Sequence, residues 1–318
     1  MNPYVFIVGC PRSGNTLLQR IVDAHPDIAV ISETRWIPGW FEKRRGLTPE
    51  GLVTRQLVDE LLGYDRFAKL KIGREELENL IGHSEQIPYS EFVAGIFDLY
   101  GQRQGKRLVG DKTPRYARFI RTLHALWPKA KFVHIIRDGR DVCLSVLDWE
   151  KADRGPARFA SWSEDPVTTV ALWWEAYLHL GREAGASLDP GLYHEVRYEA
   201  LVSEPAKECE KLCSFLDLPY DEGMLRFHEG RTKMKPGLDA KKAWRPVTSG
   251  LRDWRSQVPA GDVEHFEAAV GDLLNELGYA RAVPHPSAEA LEHAQKIRHS
   301  FWQDLRDRGD RLLERWRV

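Results

Sequence analysis

The 318-residue sequence predicts an α/β fold. Its centre is a doubly wound, mostly parallel sheet flanked by helices, with a helical insertion and a C-terminal amphipathic helix. Three observations predict it. Short apolar runs alternate with longer stretches of helical periodicity. The runs at 4–8 and 131–136 are apolar without strict alternation, as strands covered on both faces are. The first run passes through Gly9 into a short turn and then directly into a helical pattern.

In chain order, Tyr4-Val5-Phe6-Ile7-Val8 forms the first strand, and a helix starts near Thr16 with Leu17, Leu18, Ile21 and Val22 on one side. Residues 37 to 105 are helical and polar without a strong strand, as in an insertion over one face. Further strands are predicted at 107–109, 131–136 and 192–196. Helices fall between them at 114–126, 142–149, 167–182 and 203–216, the last with Ser203 as cap and Pro205 in its first turn. Residues 150 to 166 read as a long loop, a length often found in lids. From Ala288 to Val318, Leu291, Ile297, Phe301, Leu305, Leu312 and Trp316 recur at helical spacing, with a break near Gly309. The chain divides into a domain over 1–285 and a helical extension over 286–318. Acidic residues interrupt the arginines of that last helix, so packing on this domain or on a second copy in a homodimer fits it better than a membrane surface.

Lys plus Arg number 46 and Asp plus Glu 47, so no global basic field points to nucleic acid. Any anion site is local. No run approaches the roughly 18 apolar residues of a membrane span, and the N-terminus lacks the pattern of a secretory signal. Cys10, Cys143, Cys209 and Cys213 form no CxxC pair, which suits a reducing compartment; the reading is cytoplasmic. Cys209 and Cys213 read as buried helix residues rather than metal ligands.

The turn Gly9-Cys10-Pro11-Arg12-Ser13-Gly14-Asn15-Thr16 has the spacing of a P-loop. Backbone N–H groups of such a turn converge on an anion, and the following helix adds its positive end. Asn15 stands where a triphosphatase would carry lysine, and the strand through Ile136 runs into Arg137 rather than a metal-binding Asp. Arg12 supplies a fixed cation instead. A second element comes after that strand: Arg137-Asp138-Gly139-Arg140-Asp141, then a helix carrying Ser145. An Arg and a Ser at the carboxyl end of a parallel strand suit a second phosphate in the same crevice. The alternative for Arg137 is an ion pair with Asp138 or Asp141. Together the two elements imply a nucleotide phosphorylated at two positions.

These residues resemble the sulfotransferases that use 3′-phosphoadenosine 5′-phosphosulfate (PAPS), nearest to the tyrosylprotein sulfotransferases and their bacterial relatives. Phe6–Arg35 is similar to their 5′-phosphosulfate loop and following helix, Arg137–Ser145 to their 3′-phosphate element, and Val196–Pro219 to the strand and helix beyond. The resemblance implies PAPS as co-substrate, bound by Arg12, Ser13, Gly14, Asn15, Thr16, Arg137, Ser145 and Tyr198. It implies Glu33 as catalytic base, with Lys112 of "GDKTP" and Arg12 stabilising the sulfuryl group in flight, and no metal. Asn15 replaces a usual threonine, and Asp253 stands in place of a lysine, for which Arg252 or Arg255 could substitute. The serine expected upstream of Pro246-Val247 has no counterpart. Arg35 matches a substrate-side arginine, while a second basic position falls on Gly39.

The residues by themselves leave alternatives. Glu33 could be a surface carboxylate near Arg35, Lys112 could pair with Asp111, and His25 could pack the helix end or compete as base. Trp36 and Trp40 could line an acceptor pocket or simply pack. The function implied is transfer of a sulfuryl group to a hydroxyl of a small molecule, glycan, lipid or peptide. An atypical P-loop kinase and a catalytically silent nucleotide-binding module are the alternatives.

Overall fold

The computed structural model describes residues 3–82, 87–148, 159–229, 246–248, 250 and 252–307. Five strands, β1 (Val5–Gly9), β2 (Ile28–Ser32), β3 (Leu108–Lys112), β4 (Lys131–Ile136) and β5 (Tyr193–Arg197), form one sheet in the order β2-β3-β1-β4-β5. Every pairing is parallel. The predicted sheet is therefore present with one added strand. β2 comes after the turn at Pro26-Asp27 and supplies one edge.

β1 and β4 are buried at every position, and their side chains alternate between two cores. On one face Tyr4, Phe6 and Val8 join Phe97, Trp127 and Phe132; Phe6 stacks on Phe132 at 5.6 Å. On the other, Val5 and Ile7 pack on Leu18, Ile21 and Val22 of the first helix, Asn15–Asp23. The helix Pro205–Leu216 covers the same face through Cys209, Leu212 and Cys213, so both cysteines are buried packing residues. Ser203 does not cap that helix. It ends the short preceding helix, Tyr198–Ser203, donating to the Ala200 carbonyl at 3.3 Å, and Glu204 takes the cap position.

The first face carries the helices Tyr89–Gln104, Pro166–Ala186 and Ala260–Glu276. The 37–105 region is helical as predicted, and its Leu57, Phe67, Leu77 and Phe92 enter the same core. The C-terminal helix runs Ala288–Asp307; its Ile297, Phe301 and Leu305 are buried in that core too, so its apolar face packs on this domain. The predicted break at Gly309, with Leu312 and Trp316, lies outside the described residues, as does 149–158, most of the predicted loop. The loop's remainder is a 3-10 turn, Ala160–Ser163, leading to Asp165. No helix among the described residues is long and apolar enough to cross a membrane.

Candidate active site

In a parallel sheet the loops at the carboxyl ends of the strands all lie along one edge. Here each strand contributes: Glu33 comes directly after β2, Lys112 ends β3, the Cys10–Gly14 turn leaves β1, Arg137 leaves β4, and Tyr198 leaves β5. In the order β2-β3-β1-β4-β5 these residues form one row. Residues far apart in sequence become neighbours through topology alone.

The turn is held by its own side chains. Gly14 caps the helix in the left-handed conformation (φ 96°), and a Cβ there would lie 2.4 Å from Tyr198 Cδ2. Only glycine admits the tyrosine ring this closely. Asn15 is buried, and its Nδ2 donates to the Cys10 carbonyl at 2.8 Å. The amide thus braces the turn from within, a role that a lysine reaching outward could not fill. Ser13 is buried, and its Oγ has no hydrogen-bond partner among the described residues. Unpaired buried hydroxyls are costly, so this atom suits an incoming acceptor group. Thr16 sits in the first turn of the helix.

The two predicted anion elements meet. Arg12, itself left-handed (φ 76°), donates from Nε to Ser145 Oγ at 3.0 Å. Arg137 is 6% exposed, and its guanidinium lies 4.2 Å from the Tyr198 ring centroid. It also reaches Asp141 Oδ2 at 3.3 Å, so the ion pair considered from sequence is formed, with Asp141. Its Nε is buried without a partner among the described residues. Trp174, which no sequence motif tied to the site, donates from Nε1 to the Arg137 carbonyl at 3.1 Å and fixes this turn. Asp138 pairs with Arg140 at 2.8 Å and accepts from Trp254 Nε1 at 3.2 Å, so the acidic and basic residues of "RDGRD" divide between site and scaffold. Arg252 reaches the Ser145 helix at Asp148 (2.6 Å), whereas Arg255 lies over Trp254. Asp253 is a helix cap, accepting from Arg255 N at 3.2 Å. The segment just upstream of Pro246 lies outside the described residues.

At the other end of the row, Lys112 Nζ donates to Glu33 Oε1 at 3.1 Å. Lys112 and Asp111 are consecutive strand residues and point to opposite faces, so the alternative pairing between them is not formed. Asp111 instead accepts from Thr34 N at 3.2 Å. Burial raises its pKa to about 6, offset in part by its hydrogen bonds. Glu33 is left-handed (φ 54°), as is Arg35 (φ 63°). Backbone held there by bulky residues needs support. Glu33 N donates to the Lys112 carbonyl at 2.8 Å, and Tyr116 OH meets Thr34 Oγ1 at 2.7 Å and Ile37 N at 3.1 Å.

Arg35 donates to Glu33 Oε2 from Nε at 2.9 Å, and Arg66 approaches the same oxygen at 3.4 Å. Burial pushes the Glu33 carboxyl up, but Lys112 and Arg35 outweigh it, and the net shift is downward. Arg66 comes from the insertion, which no sequence signal connects to the site. It places a second basic group beside Glu33. His25 is buried, with Nε2 at 2.8 Å from the Pro219 carbonyl and Nδ1 accepting from Asp27 N, so it fastens the helix end. Trp36 is 1% exposed among Trp40, Phe67 and Tyr89, and Arg45 covers Trp40. The tryptophans after Glu33 are packing residues rather than pocket walls.

A family model described as "Sulfotransferase family" matches residues 3–222. A putative protein-tyrosine sulfotransferase of Caenorhabditis briggsae is 25% identical over 229 residues, 71% of this chain and 69% of that protein. Nodulation protein NoeE of Sinorhizobium fredii is 28% identical over 345 residues, 98% of this chain and 71% of its own. The protein-tyrosine sulfotransferase of Drosophila melanogaster is 27% identical over 285 residues, but the match spans only 52% of that longer protein. The sulfotransferase domain of the Synechococcus olefin synthase shares the fold, with a TM-score of 0.58 at 23% identity over 88% of this chain and 95% of that one. With the match running through the turn, Glu33, Lys112, the Arg137 element and Tyr198, the chain belongs to the sulfotransferase family and is a sulfuryl-transferring enzyme.

Proposed function

We propose that this enzyme transfers the sulfuryl group of PAPS to an acceptor hydroxyl, with Glu33 as the base. The observation that carries this reading is the row along the sheet edge: two candidate anion-binding elements joined by the Arg12–Ser145 bond, with the pair of buried Lys112 and partly buried Glu33 beside them. Ser13 Oγ and Arg137 Nε, buried and unpaired among the described residues, fit an anionic nucleotide. The turn and Arg12 would hold the 5′-phosphosulfate, and Arg137 with Ser145 the 3′-phosphate. Tyr198, wedged between Gly14 and Arg137, keeps the two halves in register.

PAPS supplies the sulfuryl group and departs as the bisphosphate. The protein's work is positioning and charge stabilisation. Glu33 is held ionised, ready to accept a proton from the acceptor hydroxyl. Protonation of Glu33 cancels its hold on Lys112. The ammonium is then available to neutralise charge on the bridging oxygen of the leaving group, so base and electrophile are coupled through one hydrogen bond. Arg12 contributes from the other side.

Arg35 and Arg66, partly exposed beside Glu33, favour an acceptor with acidic groups near its hydroxyl. A tyrosine-bearing acidic peptide is one such acceptor, and several relatives are named for protein-tyrosine sulfation. Glycan and small-molecule hydroxyls with a carboxylate or sulfate nearby share that chemistry. Four buried, free thiols support a reducing, cytoplasmic setting.

The test is transfer of label from [35S]PAPS to a panel of acidic tyrosyl peptides, phenols and sugars. Wild type is expected to label at least one acceptor, and Glu33→Gln to lower kcat by roughly 100-fold or more. Undiminished turnover in Glu33→Gln would remove the base from the mechanism.

A further inference from the structure

Well away in sequence from the residues of the sheet edge, Asp165, His265 and His293 bring one ligand atom each to within 4.8 Å of one another. They come from three elements: the cap of the Pro166–Ala186 helix, the Ala260–Glu276 helix and the C-terminal helix. His293 Nε2 lies 2.9 Å and His265 Nδ1 3.2 Å from the same atom, Asp165 Oδ2. The two rings are 5.1 Å apart, centroid to centroid.

That oxygen is already occupied. Thr168 Oγ1 donates to Asp165 Oδ2 at 2.7 Å, and Thr168 N donates to Oδ1 at 2.9 Å. One carboxylate oxygen offers two lone pairs, and Thr168 Oγ1 and His293 Nε2 fill both when that imidazole donates. His265 Nδ1 stands at ion-pair distance, 3.2 Å, from the same oxygen. When both imidazoles turn nitrogen lone pairs inward, three donors of electron density face one point, an arrangement that suits a cation.

Bond lengths of about 2.0–2.2 Å to nitrogen and carboxylate oxygen put tetrahedral ligand atoms roughly 3.3 Å apart. The two separations from Asp165 Oδ2 are close to this, and the two nitrogens lie within 4.8 Å of each other. Two imidazoles and a carboxylate suit zinc and its first-row neighbours rather than magnesium or calcium. Asp165 is buried and oriented by Thr168, the outer hydrogen bond that such ligands ordinarily have. The His265 and His293 side chains are 41% and 33% exposed, which leaves an entry path and room for a water as fourth ligand.

We propose that Asp165, His265 and His293 form a divalent transition-metal site of the zinc class that staples the C-terminal helix to the domain. The site is structural. It shares no residue with the Glu33–Lys112 centre, and the transfer chemistry proposed above does not pass through it.

The test uses untagged full-length protein stripped with chelator and titrated with ZnCl2 by calorimetry, with CoCl2 in parallel for the visible bands of tetrahedral cobalt. One equivalent is expected to bind, to raise Tm, and to give intense cobalt absorption. His293→Gln and His265→Gln each should weaken binding by at least tenfold and remove the Tm rise, while Glu33→Gln leaves both unchanged. Retained Tm of the metal-free variants, compared with metal-free wild type, shows that they fold. Absence of stoichiometric binding at 100-fold excess zinc, or equal binding by the folded glutamine variants, would overturn the site.

Discussion

Lys112 Nζ sits 3.1 Å from Glu33 Oε1, with the lysine almost wholly buried and the carboxylate partly so. Burial alone would raise the carboxyl pKa, and the neighbouring cations reverse that sign. A carboxyl with a depressed pKa stays ionised, and able to accept a proton, until the pH falls through that depressed value. The acid limb of kcat/KM should therefore lie below the ordinary 4.5. Lys112→Met removes the leading opposing charge and leaves the burial, so the limb should move up in pH while kcat falls. A pH–rate profile of both proteins checks this. An unmoved limb would mean that another group is being titrated.

Arg137 should be intolerant of conservative change. Its planar guanidinium stacks on Tyr198 and reaches Asp141 at the same time, which the point charge of lysine does not reproduce. Arg137→Ala is expected to weaken adenosine 3′,5′-bisphosphate by roughly 10- to 150-fold, as for loss of a charge-assisted hydrogen bond. Arg137→Lys should recover little of it. Equilibrium binding to the two variants measures the difference.

The turn should fail at two named positions, in different ways. Gly14→Ala combines a left-handed backbone with a Cβ 2.4 Å from the Tyr198 ring, so the ring must move and bisphosphate binding should be lost. Asn15→Ala deletes the brace to Cys10 and leaves that carbonyl without the amide. A loss of about 1–3 kcal/mol in stability is expected, together with weaker ligand binding. Urea unfolding with and without bisphosphate separates the two effects.

Asp111 gives a stability prediction with a definite sign. Its carboxyl is raised from 3.8 to about 6 by burial, so the folded state holds its proton more tightly than the unfolded chain does. The associated stability is complete below 3.8 and is lost as the pH rises through 6. Asp111→Asn keeps an acceptor for Thr34 N and removes the charge. It should gain stability over wild type at pH 8 relative to pH 5 by about 1.4 kcal/mol, the part of the shift that lies between pH 5 and about 6. Equal differences at both pH values would contradict this account.

Much of the site was legible because its signals are local. Gly9 and Gly14 mark the turn, and "RDGRD" comes after an apolar strand, so strand, turn and helix could be read without knowing the fold. The missed strand, Ile28–Ser32, is short and begins just after a Pro-Asp turn, and its pairing with β3 is visible only once the sheet is assembled. Strand β3 runs to Lys112, beyond the predicted 107–109; its second half is invisible in the sequence because Gly110, Asp111 and Lys112 carry no apolar pattern. Trp36 and Trp40 could not be assigned because pocket walls and core anchors use the same residue type. Arg66 was invisible for another reason: its approach to Glu33 depends on how the helical insertion folds back over β2, which no local spacing encodes. The same holds for Asp165, His265 and His293, which are widely separated along the chain.

The most direct test of the central claim, that the sheet edge is a PAPS site with the base beside it, is calorimetric titration of adenosine 3′,5′-bisphosphate. Wild type and Glu33→Gln should bind one equivalent with similar affinity, while Arg12→Ala and Arg137→Ala should show greatly weakened binding. No binding to wild type at millimolar bisphosphate, or equal binding by all four proteins, would contradict it.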